Sequence, residues 1–165
     1  MTLVFDLQLA SRMPTEKTKK RARRDKAQGK SASTQAGEFV REEIHHVREG
    51  KHGARSPQQA IAIGLSKARR AGVDLPPPKR GKAKPKTRRS AERAYARGHG
   101  AAAKRKSSPR RARATHRALE HEGHSAASPG ALSRHAKTAA ARRSPTQRKA
   151  AARKGAQTRR RRAHA

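Results

Sequence analysis

Apolar positions along this chain concentrate in one stretch, between residues 34 and 75. There Val40, Ile44 and Val47 recur at i, i+4 and i+7, with Ala36 and Phe39 beside them. That period predicts an amphipathic helix over Gln35–Glu49. Thr34 or Ser33 offers an N-cap oxygen, and Glu38, Glu42 and Glu43 place negative charge toward the positive end of the helix dipole. Gly50 ends it. A second helix opens at Ser56-Pro57-Gln58-Gln59, with Ser at the N-cap, Pro at the first helical position and Gln at the third, a capping box. Ile61, Leu65 and Ala68 form its stripe, with Ala60 and Gly64 adjacent and Ile63 to one side. Gly64 costs a helix about 1 kcal/mol relative to alanine, so its presence marks close helix–helix approach. Gly72 stands where a left-handed C-cap residue belongs, Val73 follows to pack back on the last turn, and Pro76-Pro77-Pro78 forbids continuation.

The prediction is an αα-hairpin, residues 35–49 and 57–71, whose core and self-association face is Phe39, Val40, Ile44, Val47, Ile61 and Leu65. So few large side chains fall short of what ordering some forty residues requires, so the hairpin is expected to need a second copy or a ligand. Beyond Pro78 the pattern dissolves. Ala, Arg, Lys, Gly, Ser and Pro dominate, and Leu119 and Leu132 are the large aliphatics. Three further Ser-Pro pairs, at Ser108, Ser128 and Ser144, each precede an Ala- and Arg-rich stretch, and Ser144-Pro-Thr-Gln147 repeats the capping-box pattern. These stretches are read as coil in free solution, with transient helices once phosphates remove the repulsion. The fold class is therefore mostly disordered with a small all-α element: a basic N-terminal arm at 1–33, the hairpin at 34–75 and a disordered basic tail at 76–165.

Charge sharpens this division. The 165 residues carry 44 Lys+Arg against 11 Asp+Glu, a formal net charge of +33. The arm holds +6, the hairpin zone +2 and the tail +25. Self-repulsion at this level opposes a compact state until a polyanion supplies the missing charge. No stretch approaches the roughly 20 apolar residues of a membrane span. With no cysteine there is no disulfide framework and no thiolate metal site, which fits a reducing cytoplasm. The first twelve residues are mildly apolar without a basic start, and Met13 precedes the basic composition. Translation is expected to begin at Met13, with residues 1–12 a gene-call extension.

Catalytic chemistry finds no footing. There is no glycine-rich phosphate loop and no nucleophile–base pair, so no enzyme, catalytic residue or cofactor is expected. Nine histidines invite a metal. The densest group is His116, His121 and His124 with Glu120 and Glu122, yet His121-Glu-Gly-His124 is not the HExxH spacing. His45 and His46 are adjacent and point to different sides of their helix. No metal site is assigned. Tyr95 stands alone in the tail, so base stacking on an aromatic platform is excluded as a binding mode.

The run from Lys30 to Val73, with KHGARSPQQAIAIGLSKARRAG inside it, resembles a family of small, basic, uncharacterised bacterial proteins, some labelled plasmid stabilisation protein. Ser125-Ala-Ala-Ser-Pro-Gly-Ala-Leu-Ser-Arg134 resembles the same family. The resemblance implies a bacterial, cytoplasmic protein and brings no established activity or site residue. Gly81-Lys-Ala-Lys-Pro-Lys-Thr87 is similar to linker-histone tails, and Ser108-Pro109-Arg110-Arg111 to the SPKK-type turn of histone tails.

Duplex DNA carries one charge per about 1.7 Å, so the tail could neutralise roughly a helical turn. The expected function is sequence-nonspecific, nucleoid-associated, linker-histone-like DNA binding by phosphate neutralisation. The phosphate contacts are placed at Lys82, Lys84, Lys86, Arg88, Arg89, Lys104, Arg105, Lys106, Arg110, Arg111, Arg159, Arg160, Arg161 and Arg162. Two alternatives share the composition: an RNA- or ribosome-associated protein, and a protein-interaction or plasmid-stabilisation module whose hairpin is the partner site.

Overall fold

A computed structural model describes residues 13–100 and 108–163. Among these, seven α-helices and one 3₁₀ turn follow one another with no strand. They are α1 (Glu16–Ala27), α2 (Ala32–Arg48), α3 (Pro57–Arg70), α4 (Pro85–Gly98), α5 (Pro109–Glu120), the 3₁₀ turn Ser125–Ala127, α6 (Pro129–Ala141) and α7 (Pro145–Ala163). They form two compact units, the first ending at Ser128 and the second beginning at Pro129.

A mostly disordered chain is therefore incorrect: both the arm and the tail are helical. Self-repulsion was given too much weight against local sequence. Proline opens every helix from α3 to α7, where its fixed φ is pre-organised and its missing N–H is no loss. Alanine and arginine then carry the helix at little conformational cost. At α7 the capping box is complete: Ser144 Oγ accepts from the Gln147 amide and Gln147 Oε1 from the Ser144 amide, both at 3.2 Å. In α4, Ala91 and Ala94 are buried, and the helix packs on α3.

The expected arm is α1. Thr15 caps it by accepting from the Thr18 amide at 3.3 Å, and Thr18, Ala22 and Asp25 are buried. The Thr15 amide donates to Glu42 Oε1 of α2 at 2.8 Å. Asp25 pairs with Lys30 at 2.6 Å across the turn into α2. That turn moves the start of α2 upstream of the expected cap: Ser31, not Ser33 or Thr34, is the N-cap residue, and its Oγ shares hydrogen bonds with both hydroxyls. Residues 1–12, the expected gene-call extension, lie outside the described residues.

Helices α1 to α4 pack in chain order, with α2 against α3 the broadest interface. The core joins Ala22, Ala36, Phe39, Ala68 and Val73, with Ala32, Leu65 and Leu75 packed on it. The hairpin is thus covered by other helices of its own chain. The expected stripe on α3 is displaced: Ala60, Gly64, Lys67 and Ala68 are buried, while Ile61 and Leu65 are half-buried. Gly64 explains the shift, because a Cβ there would lie 2.7 Å from the Val40 Cα, closer than side chains allow. Small residues let the two backbones meet, and the large ones flank the seam. Val40 is half-buried beside it, whereas Phe39, Ile44 and Val47 are buried as expected. The C-cap reading of α3 holds: Gly72 has φ +85°, the Val73 amide donates to Ala68 O at 3.1 Å, and Val73 is buried.

Candidate nucleic-acid interface and a buried polar cluster

Most of the cations singled out from sequence lie on the exterior. Lys82, Lys84, Lys86 and Arg89 are exposed around the start of α4, and Arg88 is half-buried and paired with Glu92 at 2.6 Å. Arg110 and Arg111 are exposed on the first turn of α5. The SPKK-type turn is not what forms there: Pro109 is the first residue of a helix, and Ser108 is its N-cap position in extended backbone. Arg159 and Arg160 are exposed near the end of α7, which also contains Arg161 and Arg162. Lys104, Arg105 and Lys106 lie outside the described residues. Across Pro145–Ala163 stand eight Lys/Arg and no acid, and Arg148, Lys149, Arg153 and Lys154, which were not singled out from sequence, are exposed with Arg159 and Arg160.

A cleft of about 1310 Å³ opens in the first unit. Lys19, Arg23 and Lys26 of α1 and Arg111 of α5 line it, together with Arg97 from the end of α4. Glu43, His52 and Lys67 contribute to the same lining.

Those last three residues belong to a buried polar cluster that the sequence reading missed. Glu43 of α2 is fully buried, its Oε1 lies 3.2 Å from His52 Nε2, and its Oε2 lies 2.7 Å from Lys67 Nζ of α3. His46, one turn after Glu43, is 5% exposed and meets His52 edge to face. Burial raises the Glu43 carboxyl, but His52 and Lys67 outweigh that and hold it below the usual carboxylate range. The Glu43 contact raises His52 above the usual imidazole range. Burial, with Lys67 and Lys51 nearby, lowers His46.

The loop Lys51-His-Gly-Ala-Arg55 holds His52 in place. The Gly53 amide donates to Leu119 O at 2.8 Å and the Ala54 amide to Gly123 O at 3.0 Å. A Cβ at Gly53 would overlap the Glu122 carbonyl, so only glycine fits this approach. Arg55 pairs with Glu122 at 3.1 Å, and Arg48 Nε donates to Ala127 O at 2.8 Å. The motif that marks the family resemblance is thus a joint between the hairpin and the segment after α5. From sequence, Glu43 and His46 stood at i and i+3 on one face, a signal that could have paired them. His52 and Lys67 arrive only through the tertiary fold. Of the other histidines considered from sequence, His45 is exposed and 3.4 Å from Glu49, His116 pairs with Glu120 at 2.8 Å, and His121 and His124 are exposed.

A family model described as Family of unknown function (DUF6496) matches residues 23–80. The match runs from within α1 through α2 and α3, and so includes the whole polar cluster. Comparison with curated proteins and with solved structures gives no match. No helix among the described residues is long and apolar enough to cross a membrane.

Proposed function

We propose that this protein binds DNA without sequence preference, by neutralising backbone phosphates with cations displayed on helices. The observation that carries the reading is α7, nineteen residues with eight Lys/Arg, no acid and its described Lys/Arg side chains exposed. A helix polar all round buries too little to repay ordering by packing, so its charges are available to a ligand. The reading now rests on regular helices, which fix the spacing of cations along each rod at 1.5 Å rise per residue. Backbone contacts position a protein but carry no base information. The basic lining of the cleft and the start of α4 add to the same electrostatic footprint.

Binding isotherms on two unrelated duplexes at several salt concentrations test this. Affinities should agree within a few-fold and fall by about 10³ or more between 50 and 200 mM salt, as expected for six or more phosphate contacts. Changing Arg159–Arg162 together to Gln should lower the slope of log affinity against log salt by up to about 3.6. A salt-insensitive affinity overturns the reading, and a preference for RNA in direct competition reassigns the partner.

A further inference from the structure

We infer that Glu43, His46 and His52 form a site for one divalent transition-metal ion of the zinc class. One ligand atom from each lies within 4.8 Å of the other two, and all three residues are buried. Carboxylate and imidazole are the ligand types that zinc takes.

The local geometry supports this in three ways. The 3.2 Å between Glu43 Oε1 and His52 Nε2 matches the separation of two ligands on one tetrahedral ion, about 3.3 Å for bonds of 2.0–2.1 Å. His52 Nδ1 lies 3.1 Å from the Gly53 carbonyl, which can only accept, so Nδ1 carries the hydrogen and Nε2 is the atom turned to Glu43. A backbone carbonyl orienting the far nitrogen is the usual support of a metal-bound imidazole. Finally, His46 Nδ1 is fully buried with no hydrogen-bond partner. Buried polar atoms left in this state are costly, and a shared cation removes the cost.

Lys67 sets the limits of the site. It holds Glu43 Oε2 at 2.7 Å, so the ion takes the Oε1 side and shares the carboxylate with an ammonium. Its positive charge weakens the binding of a second cation. Glu43, His52 and Lys67 border the cleft with their side chains buried.

The test uses the full-length, untagged chain, stripped of metal with EDTA and dialysed. Titration with Co²⁺, followed by its visible d–d absorption and by displacement with Zn²⁺, should show one saturable step per chain. His46→Asn and His52→Asn should each weaken that step by about tenfold or more, whereas His45→Asn and His116→Asn leave it unchanged. Lys67→Met should tighten it by about tenfold or more. Because His52 also braces the loop, Zn²⁺ should raise the melting temperature of the unsubstituted protein and raise that of the His46→Asn variant less at the same concentration. Absence of a one-equivalent step, or a step that survives both the His46 and His52 changes, overturns the site.

Discussion

The hairpin with its flanking helix α1 and the closing helix α7 solve the same problem, excess positive charge, in opposite ways. In the hairpin zone acids nearly match cations, and some contacts there and at its border with α1 are drawn inward: Glu43 with Lys67 and His52, Asp25 with Lys30, Glu42 on the Thr15 amide. These contacts lock α1, α2, α3 and the Lys51–Arg55 loop together. Helix α7 has no acid at all, and its described cations are exposed. Its order comes from a capping box and from alanine, not from a core. Compensated charge here builds tertiary structure, and uncompensated charge is left for a partner.

The largest test of that contrast is Glu43→Ala. It strands a buried ammonium and an imidazole without their counter-charge, and breaking a buried pair from one side costs about 3–5 kcal/mol. Urea unfolding should show a loss of that size in the first unit. Unchanged stability would mean that the pairs inside the hairpin matter no more than those at the surface.

Next comes Gly64→Ala. A methyl group placed 2.7 Å from the Val40 Cα forces α2 and α3 apart, and overpacking of this kind costs about 1–3 kcal/mol. Alanine is the better helix former, so propensity alone predicts the opposite sign. A stabilised variant would show that the interface is loose.

How much of this was legible in the sequence follows from the same division. The two hairpin helices were, because their signals are local: Ser56-Pro57 started α3, its Oγ accepting from the Gln59 amide at 3.2 Å, and Gly72 ended it. The contact face was not, because a large-residue stripe suggests burial while the tightest seam is built from Ala60, Gly64 and Ala68. The tail helices were misjudged because the repulsion argument treats charge as a bulk quantity, whereas caps and alanine act residue by residue. The polar cluster was hidden because two of its four members come from other segments, so His46, read only as pointing away from its neighbour His45, was given no site.

A cap comparison gives a smaller effect that still separates the regions. Ser56→Ala and Ser144→Ala each remove a side-chain acceptor at a helix start, worth about 1 kcal/mol. At α3 the loss is transmitted through packing and should lower the global unfolding midpoint. At α7 nothing is packed on the cap, so circular dichroism should register lost helicity with no shift in the cooperative transition. Equal shifts in both variants would erase the distinction between a packed helix and one held by its own ends.

The smallest expected effect is the most specific. Arg159→Ala touches an exposed side chain for which alanine is the better helix residue, so stability should change by no more than about 0.5 kcal/mol. Its influence should appear only with duplex present, as a drop of about one in the salt slope, with affinities for unrelated sequences reduced equally. The corresponding change inside the hairpin, Lys67→Ala, should do the reverse, costing stability while leaving the salt slope where it was. If Arg159→Ala instead weakened one sequence more than another, the helix would be reading bases, and neutralisation would no longer describe what its cations do.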